Sequence, residues 1–182
     1  MDRRTSQGDP MKQLVMVATL CCVAVGAGAQ DTRARISLPG YQEAFPIEVA
    51  TTEFSVDAPM RKTYDAIIAV FDDYGVPLTM ADTIRWIVGN GLFSRRTTFA
   101  GGLMSHWVDC GEGSMGTPNA DRYRLSLVLL ALLDPDGPSK TRLRIGFIGS
   151  GVDDGSTNRA VSCGSRGALE IKMVDAIKKK LQ

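Results

Sequence analysis

The sequence predicts an α+β domain: an antiparallel meander sheet of about four to five strands with two helices packed on one face, in the order β-α-β-β-β-β-α. Two segments, residues 57–77 and 162–181, carry apolar side chains at three- and four-residue spacing, as amphipathic helices do. Between them lie runs that alternate apolar and polar residues, as half-buried strands do. The strands are grouped between the helices rather than interleaved with them. That grouping favours an antiparallel sheet over βαβ units.

The N-terminus precedes this domain. "MKQLVMVATLCCVAVGAGAQ" sets Lys12 before an apolar run, Leu14 to Val25, and closes on Ala27-Gly28-Ala29. This is the layout of a secretory signal peptide, with cleavage expected after Ala29. Residues 1–10 read as an extension from an upstream start, because Met11 opens the better signal. The apolar run is too short to span a bilayer, so no membrane-spanning segment is expected. Cys21 follows Leu20, and Cys22 follows Cys21, where lipidation needs a small residue. The expected product is a periplasmic or secreted protein.

Of the 21 Lys and Arg and 20 Asp and Glu, three and two lie in residues 1–29, so the remainder is electrically neutral. Nothing in that balance suggests a nucleic-acid partner. Its length suits one domain, with residues 30–50 as an irregular arm and 51–182 as the α+β core. Cys110 and Cys163 remain after the leader is removed. In an oxidising compartment they are expected to pair, with a stabilisation of roughly 2–4 kcal/mol. Neither lies in a C-x-x-C motif, so redox catalysis is not expected.

The elements follow in order. Pro39, Gly40 and Pro46 keep the arm irregular, and Ile47–Val56 can hold one strand. Asp57 is the expected N-cap of the first helix, with Pro59 in its first turn. Met60, Tyr64, Ile67, Ile68, Phe71 and Tyr74 form its apolar stripe. Gly75 suits the left-handed position after its end, and Pro77 blocks continuation. "TIRWIVGNGLFSRRTTFA" then reads as a hairpin turning at Asn90-Gly91, which would place Arg85 opposite Arg96. A short strand is expected over Leu103–Val108, leading to Cys110. Tyr123–Pro135 alternates and then becomes apolar on both faces, as a central strand does. In the next strand Leu143, Ile145 and Phe147 point inward and Arg142 and Arg144 outward. Gly149, Gly151 and Gly155 are expected to end it and turn the chain toward Cys163. Ser162 or Ser165 can cap the last helix, whose apolar line is Leu169, Met173, Ile177 and Leu181.

The glycines of "IGFIGSGVDDG" invite a nucleotide-binding reading. The dinucleotide fingerprint is G-x-G-x-x-G between a strand and a helix. Gly149, Gly151 and Gly155 are spaced one residue too long, a polar stretch follows them, and Asp153 and Asp154 would repel phosphate. No cofactor is expected. Asp153, Asp154 and Asn158 lack the spacing of an EF-hand loop. One histidine and two distant cysteines do not make a zinc site, so no metal is expected.

Catalytic signatures are sparse. "SHWVDC" gathers Ser105, His106, Asp109 and Cys110, but there is no nucleophile elbow. A hydrolase with a non-standard site around His106–Cys110 is the alternative function. The other candidate site is a basic face. If the strands point as assigned, Arg85, Arg96, Arg124, Arg142 and Arg144 share the outward side of the sheet. Such a face could meet an anionic envelope component or another envelope protein.

"FSVDAPMRKTYDAIIAVFDDYGVPL", a meander and "CGSRGALEIKMVDAIKKKL" together resemble uncharacterised exported bacterial α+β proteins. In element order they are similar to the helix-grip-like domains of outer-membrane assembly lipoproteins of the BamC type. "VDAP" before a helix also resembles START-like lipid-binding folds, where a helix closes a sheet-lined pocket. The resemblance covers most of residues 52–181 and implies a non-enzymatic envelope role. It assigns no site residues. The expected function is an exported binding or envelope-accessory module that uses its basic sheet face or an apolar helix–sheet cleft.

Overall fold

From Leu125 to Leu133 every side chain but Ser126 is apolar. A strand of this kind must be covered on both faces, and the fold supplies two covers. The computed structural model describes residues 33–113, 115–155 and 159–182. The expected leader and its cleavage point at Ala29 lie outside them, as does Asn158.

The elements are β1 (Arg35–Ile36), β2 (Phe45–Pro46), a 3-10 turn (Ile47–Ala50), β3 (Thr51–Val56), α1 (Met60–Asp73), β4 (Met80–Asp82), β5 (Ile87–Arg95), β6 (Thr98–Phe99), β7 (Gly102–Leu103), α2 (Met104–Trp107), β8 (Val108–Asp109), a 3-10 turn (Asn119–Asp121), β9 (Arg124–Pro135), β10 (Thr141–Val152), β11 (Ala160–Ser165) and α3 (Ala168–Lys180). The fold is α+β, as expected. The main sheet is antiparallel with 7 strands, in the order β4-β5-β9-β10-β11-β8, and β3 also pairs with β10. It therefore holds more strands than the four to five expected. Two of the additional ones, β4 and β8, have three and two residues and leave no readable period; the third, β11, has six residues, Ala160–Ser165, whose small and polar side chains carry no apolar alternation.

β9 lies between β5 and β10, the central position expected of it. On one face Leu125, Leu127, Leu129, Ala131 and Leu133 pack with Leu143, Ile145 and Phe147 of β10. Tyr64, Ile67, Val70 and Phe71 of α1, and Leu169, Met173, Val174 and Ile177 of α3, cover this face. Both helices thus share one side of the sheet. On the other face Val128, Leu130 and Leu132 pack with Ile87 and Ile148. Their cover is the arm, through Ile36, Leu38 and Ile47. The arm is irregular, but it forms a layer of the core.

Several local expectations are corrected. Ile47–Val56 holds one strand, as expected, but that strand begins at Thr51 because the first four residues form the 3-10 turn. Asp57 does not cap α1. The N-cap is Pro59, without a side-chain cap, and the nearby Ala58 carbonyl instead accepts a hydrogen bond from Thr141 Oγ1 at 2.8 Å. Leu103–Val108 is not one strand: Met104–Trp107 is a single turn of helix between β7 and β8. Ser165 serves α3 from two residues before the N-cap Gly167, whose N–H donates to its Oγ at 3.0 Å.

Two glycine signals also change meaning. β10 pairs with β9 along its whole length and continues through Val152. Gly149 and Gly151 are strand residues, paired with Cys163 and Val161. A Cβ at Gly149 would lie 2.7 Å from Leu127 Cδ2, and one at Gly151 would lie 2.9 Å from Leu125 Cδ2. These glycines permit close packing over β9 instead of ending the strand.

Asn90-Gly91 is not a hairpin turn. β5 runs straight through it, pairing Asn90 with Leu129 and Phe93 with Leu127 and leaving a bulge between. Asn90 is buried and meets its own demands there. Its Nδ2 donates to the Pro77 carbonyl, and its Oδ1 accepts from the Leu92 N–H at 2.8 Å. The partner of β5 is β4, so Arg85 and Arg96 do not face each other.

The bulge and the hairpin predict opposite mutant behaviour. Gly89 has a φ of 147°, and a Cβ there would collide with the Leu129 carbonyl oxygen and come within 2.9 Å of Leu130 Cα. Gly91 has room, its nearest contact being Met80 Sδ at 3.7 Å. Gly89→Ala should cost at least about 1–3 kcal/mol in urea denaturation. Gly91→Ala should change stability by less than about 0.5 kcal/mol. A two-residue hairpin turn would give the reverse order.

Candidate functional site

The five arginines do not form one open basic face. Arg144 Nη2 binds Asp134 Oδ2 at 2.9 Å, and Asp134 also binds Arg33 of the arm. Burial opposes ionisation of Asp134, but the hydrogen bonds and charges of Arg33 and Arg144 outweigh it and hold the pKa low. Arg142 lies 3.8 Å from both Glu53 and Asp136. Arg124 and Arg96 converge on Asp154, Arg124 at 3.2 Å. Their hydrogen bonds and charges likewise outweigh desolvation and lower the Asp154 pKa. Arg85 stands apart in the β4–β5 turn, where its backbone N–H donates to Asp82 Oδ1 at 3.0 Å. Four of the five are therefore paired with acids, and interleaved acidic residues reduce the positive field that the sequence suggested.

The densest cluster of unusual features is the corner formed by β6, β7 and α2. Thr97 and Ala100 have φ of 54° and 48°, a left-handed conformation uncommon outside glycine. Tertiary bonds hold them there. The Thr97 carbonyl accepts from the Met104 N–H at 2.8 Å. Trp107 Nε1 donates to the Phe99 carbonyl at 2.7 Å, and Lys172 Nζ of α3 donates to the Ala100 carbonyl at 2.6 Å. A Cβ at Gly102 would sit 2.8 Å from Trp107 Cζ2, so only glycine admits the indole this closely. Lys172 Nζ also lies 5.3 Å from the centre of the Trp107 ring, within cation–π range.

The expected disulfide secures the chain beyond α2. Cys110 and Cys163 are bonded, with Cα atoms 4.2 Å apart and a sequence separation of 53. Around it β8 pairs with β11, and Arg166 Nη2 binds Asp109 at 3.2 Å. A closed loop of this length is worth about 4 kcal/mol in the chain-entropy treatment.

A groove of about 790 Å³ opens between this corner and α3. Leu103, His106, Trp107, Ile171, Lys172 and Asp175 line it. Leu103 and Ile171 are 52% and 56% exposed, which is high for large aliphatic residues in one groove. A second hollow, of about 610 Å³, adjoins it at Gly101–Leu103 and is lined by Tyr74, Arg95, Thr98 and Phe99. Both volumes fall within the range of about 300–1,000 Å³ typical of small-molecule sites.

The residues of the expected hydrolytic site are placed by the same corner. Cys110 is half of the disulfide. Ser105 donates its N–H and its hydroxyl to the two oxygens of Asp121, each at 2.7 Å. His106 is exposed and packs edge-on against Trp107 at 4.5 Å between ring centres. Among the described residues, no hydrogen bond joins Ser105 to His106. An apolar helix–sheet cleft would lie among Tyr64, Phe71, Trp86 and Phe147, but Tyr64, Phe71 and Phe147 are core and the partly buried Trp86 packs against them. Phe71 and Phe147 are fully buried, and Tyr64 meets Trp86 edge-to-face at 5.7 Å.

Sequence reasoning missed most of the groove. One signal was present: Ile171 is an apolar residue off the Leu169–Met173–Ile177 line. An apolar side chain outside a helix's buried stripe asks for a second partner.

One buried carboxylate supports this region. Glu170, 1% exposed, accepts a 2.6 Å hydrogen bond from Ser165 Oγ, and its Oε2 has no partner. Burial raises its pKa, and the Ser165 hydrogen bond only partly offsets this. The unfolded chain then ionises first as pH rises, and stability falls between the unfolded and the folded pKa. Glu170→Gln keeps an acceptor for Ser165 and removes that loss. Its melting temperature relative to the native chain should climb as pH is raised from about 4 to 7. A difference independent of pH would contradict the assignment.

No protein-family model matches the chain, and comparison with curated proteins returns no significant match.

Proposed function

We propose that this chain is an exported, non-enzymatic binding or envelope-accessory module whose ligand site is the groove between the β6–β7–α2 corner and α3. The observation that carries this reading is the pair of exposed aliphatic residues, Leu103 and Ile171, beside the Trp107 indole. Covering such surface releases about 25 cal/mol per Å² of apolar area, so a ligand that spans the groove gains affinity there. The corner is held in a strained geometry by bonds to the Thr97, Phe99 and Ala100 carbonyls, which preorganises one wall. The disulfide supports an oxidising location. No helix among the described residues is long and apolar enough to cross a membrane.

Two other readings have less support. Hydrolysis at His106–Cys110 needs a free nucleophile beside a base. Here the cysteine is bonded and the Ser105 hydroxyl is directed at Asp121. A partner for the arginine face would have to compete with Asp134, Asp136 and Asp154 for four of its five cations.

Native mass spectrometry of the protein recovered from its own cellular compartment tests the proposal. The protein should carry a bound ligand or partner, and Ile171→Glu should lose it while keeping the native melting temperature within a few degrees. Retention by the folded variant, or no bound species on the native protein, would overturn the groove as the site.

A further inference from the structure

The groove and its neighbouring hollow share Gly101, Gly102 and Leu103 and place different groups at their two ends. At one end the exposed side chains of Leu103 and Ile171 offer apolar surface beside Lys172 and Asp175, over the buried Trp107. At the other, Arg95 and Tyr74 line the hollow. The Arg95 guanidinium lies 5.2 Å from the Phe93 ring centre and 5.6 Å from that of Phe99. It donates to the Ser94 and Gly75 carbonyls at 3.0 and 2.6 Å. Unlike Arg96, Arg124, Arg142 and Arg144, it meets no carboxylate among the described residues. Its charge is positioned by neutral acceptors and aromatic faces, so an incoming anion displaces no ion pair.

Tyr74 adds a second donor. Its hydroxyl is buried and has no hydrogen-bond partner. Burial, followed by the charges of Asp73 and Asp175, raises its pKa, so the phenol keeps its proton and can donate. Asp73 is itself paired with Lys180 at 2.8 Å. A buried donor without a partner costs about 1–3 kcal/mol, which a ligand acceptor would recover. Asp175 lines the groove on the α3 side, and its charge disfavours an anionic head there. The Asp175 charge also reaches the Tyr74 hydroxyl, so it is the Arg95 cation that favours an anion in the hollow.

The form of the ligand follows from what the walls lack. A peptide strand gains affinity and register from free main-chain partners. The carbonyls of Phe99 and Ala100 are already occupied, by Trp107 Nε1 and Lys172 Nζ. Beside them the exposed side chains of Leu103 and Ile171 suit an alkyl chain. We infer that the groove binds an acyl monocarboxylate, with its head between Arg95 and Tyr74 and its aliphatic tail along Leu103 and Ile171. This rests on the groove being the ligand site, as proposed above, and adds the chemical class of the ligand. A planar carboxylate matches the guanidinium fork, and an alcohol of the same chain length does not.

Titration calorimetry of the full chain, with dodecanoate and dodecanol each below micelle formation, tests it. Dodecanoate should bind saturably with one-to-one stoichiometry, and dodecanol at least tenfold more weakly. Arg95→Gln should weaken dodecanoate tenfold or more and leave dodecanol unchanged. Tyr74→Phe, which keeps the ring packing, should weaken dodecanoate several-fold, so the test survives if the arginine variant does not fold. Ile171→Glu should weaken both. Equal affinity for acid and alcohol, no effect of either head-end variant in a folded protein, or no saturable binding would overturn the inference. If dodecanoate fails while the Ile171-dependent species persists in native mass spectra, the ligand class falls and the groove stands. If both fail, the groove reading falls with it.

Discussion

The structure depends on one constraint: β9 is apolar on both of its faces. A strand of that kind is stable only where neither side meets water, so its sequence demands two covers. The helices α1 and α3 supply one. The other comes from the arm, which anchors through Ile36, Leu38 and Ile47 although it has almost no regular structure. Gly146 shows how close this cover lies, since a Cβ there would be 2.9 Å from Ile47 Cδ1. The arm is also tied by charge, through Arg33 to Asp134, and by the Tyr41 hydroxyl, which donates to the Cys163 carbonyl at 3.4 Å.

With both faces of the central sheet closed, exposed apolar surface is left at its edge. β8 and β11 extend the sheet to the corner, where the disulfide joins them. There the chain turns through two left-handed non-glycine residues, and Lys172 of α3 reaches across to the Ala100 carbonyl. The same contacts that stabilise the corner leave Leu103 and Ile171 without cover. The groove is thus a consequence of how the edge is held: a rigid wall faces a helix that spends its best apolar stripe on the core.

Much of the fold was legible in the sequence because its signals were local and repeated. The α1 stripe, the Gly75 terminator, the inward Leu143, Ile145 and Phe147, and the central position of β9 follow from periodicity. The Cys110–Cys163 bond follows from there being two cysteines beyond the expected leader. Asn90-Gly91 misled because the dipeptide is read for its turn propensity, while a buried asparagine can also satisfy a bulge. Gly149 and Gly151 misled for a related reason: glycine marks close approach as often as it marks a turn. The strand count fell short because the two- and three-residue strands are fixed by their partners and the six residues of β11, AVSCGS, are too small and polar to alternate. The groove was almost illegible, since residues near 100 and near 171 meet only in three dimensions. The arginine face was misjudged because alternation gives the side of a strand but not the acids that arrive from other elements.

The claim that the arm is a layer of the core, and not a loose leader segment, is the most direct point of test. Native-state amide hydrogen exchange measures it on the intact chain. The Ile47 N–H, which donates to the Ala34 carbonyl at 3.0 Å, should exchange with an opening free energy close to that of the β9 amides. Exchange of Ile47 at a free energy several kcal/mol below that of a still-protected β9 would contradict the account, because β9 would then be stable with one face uncovered.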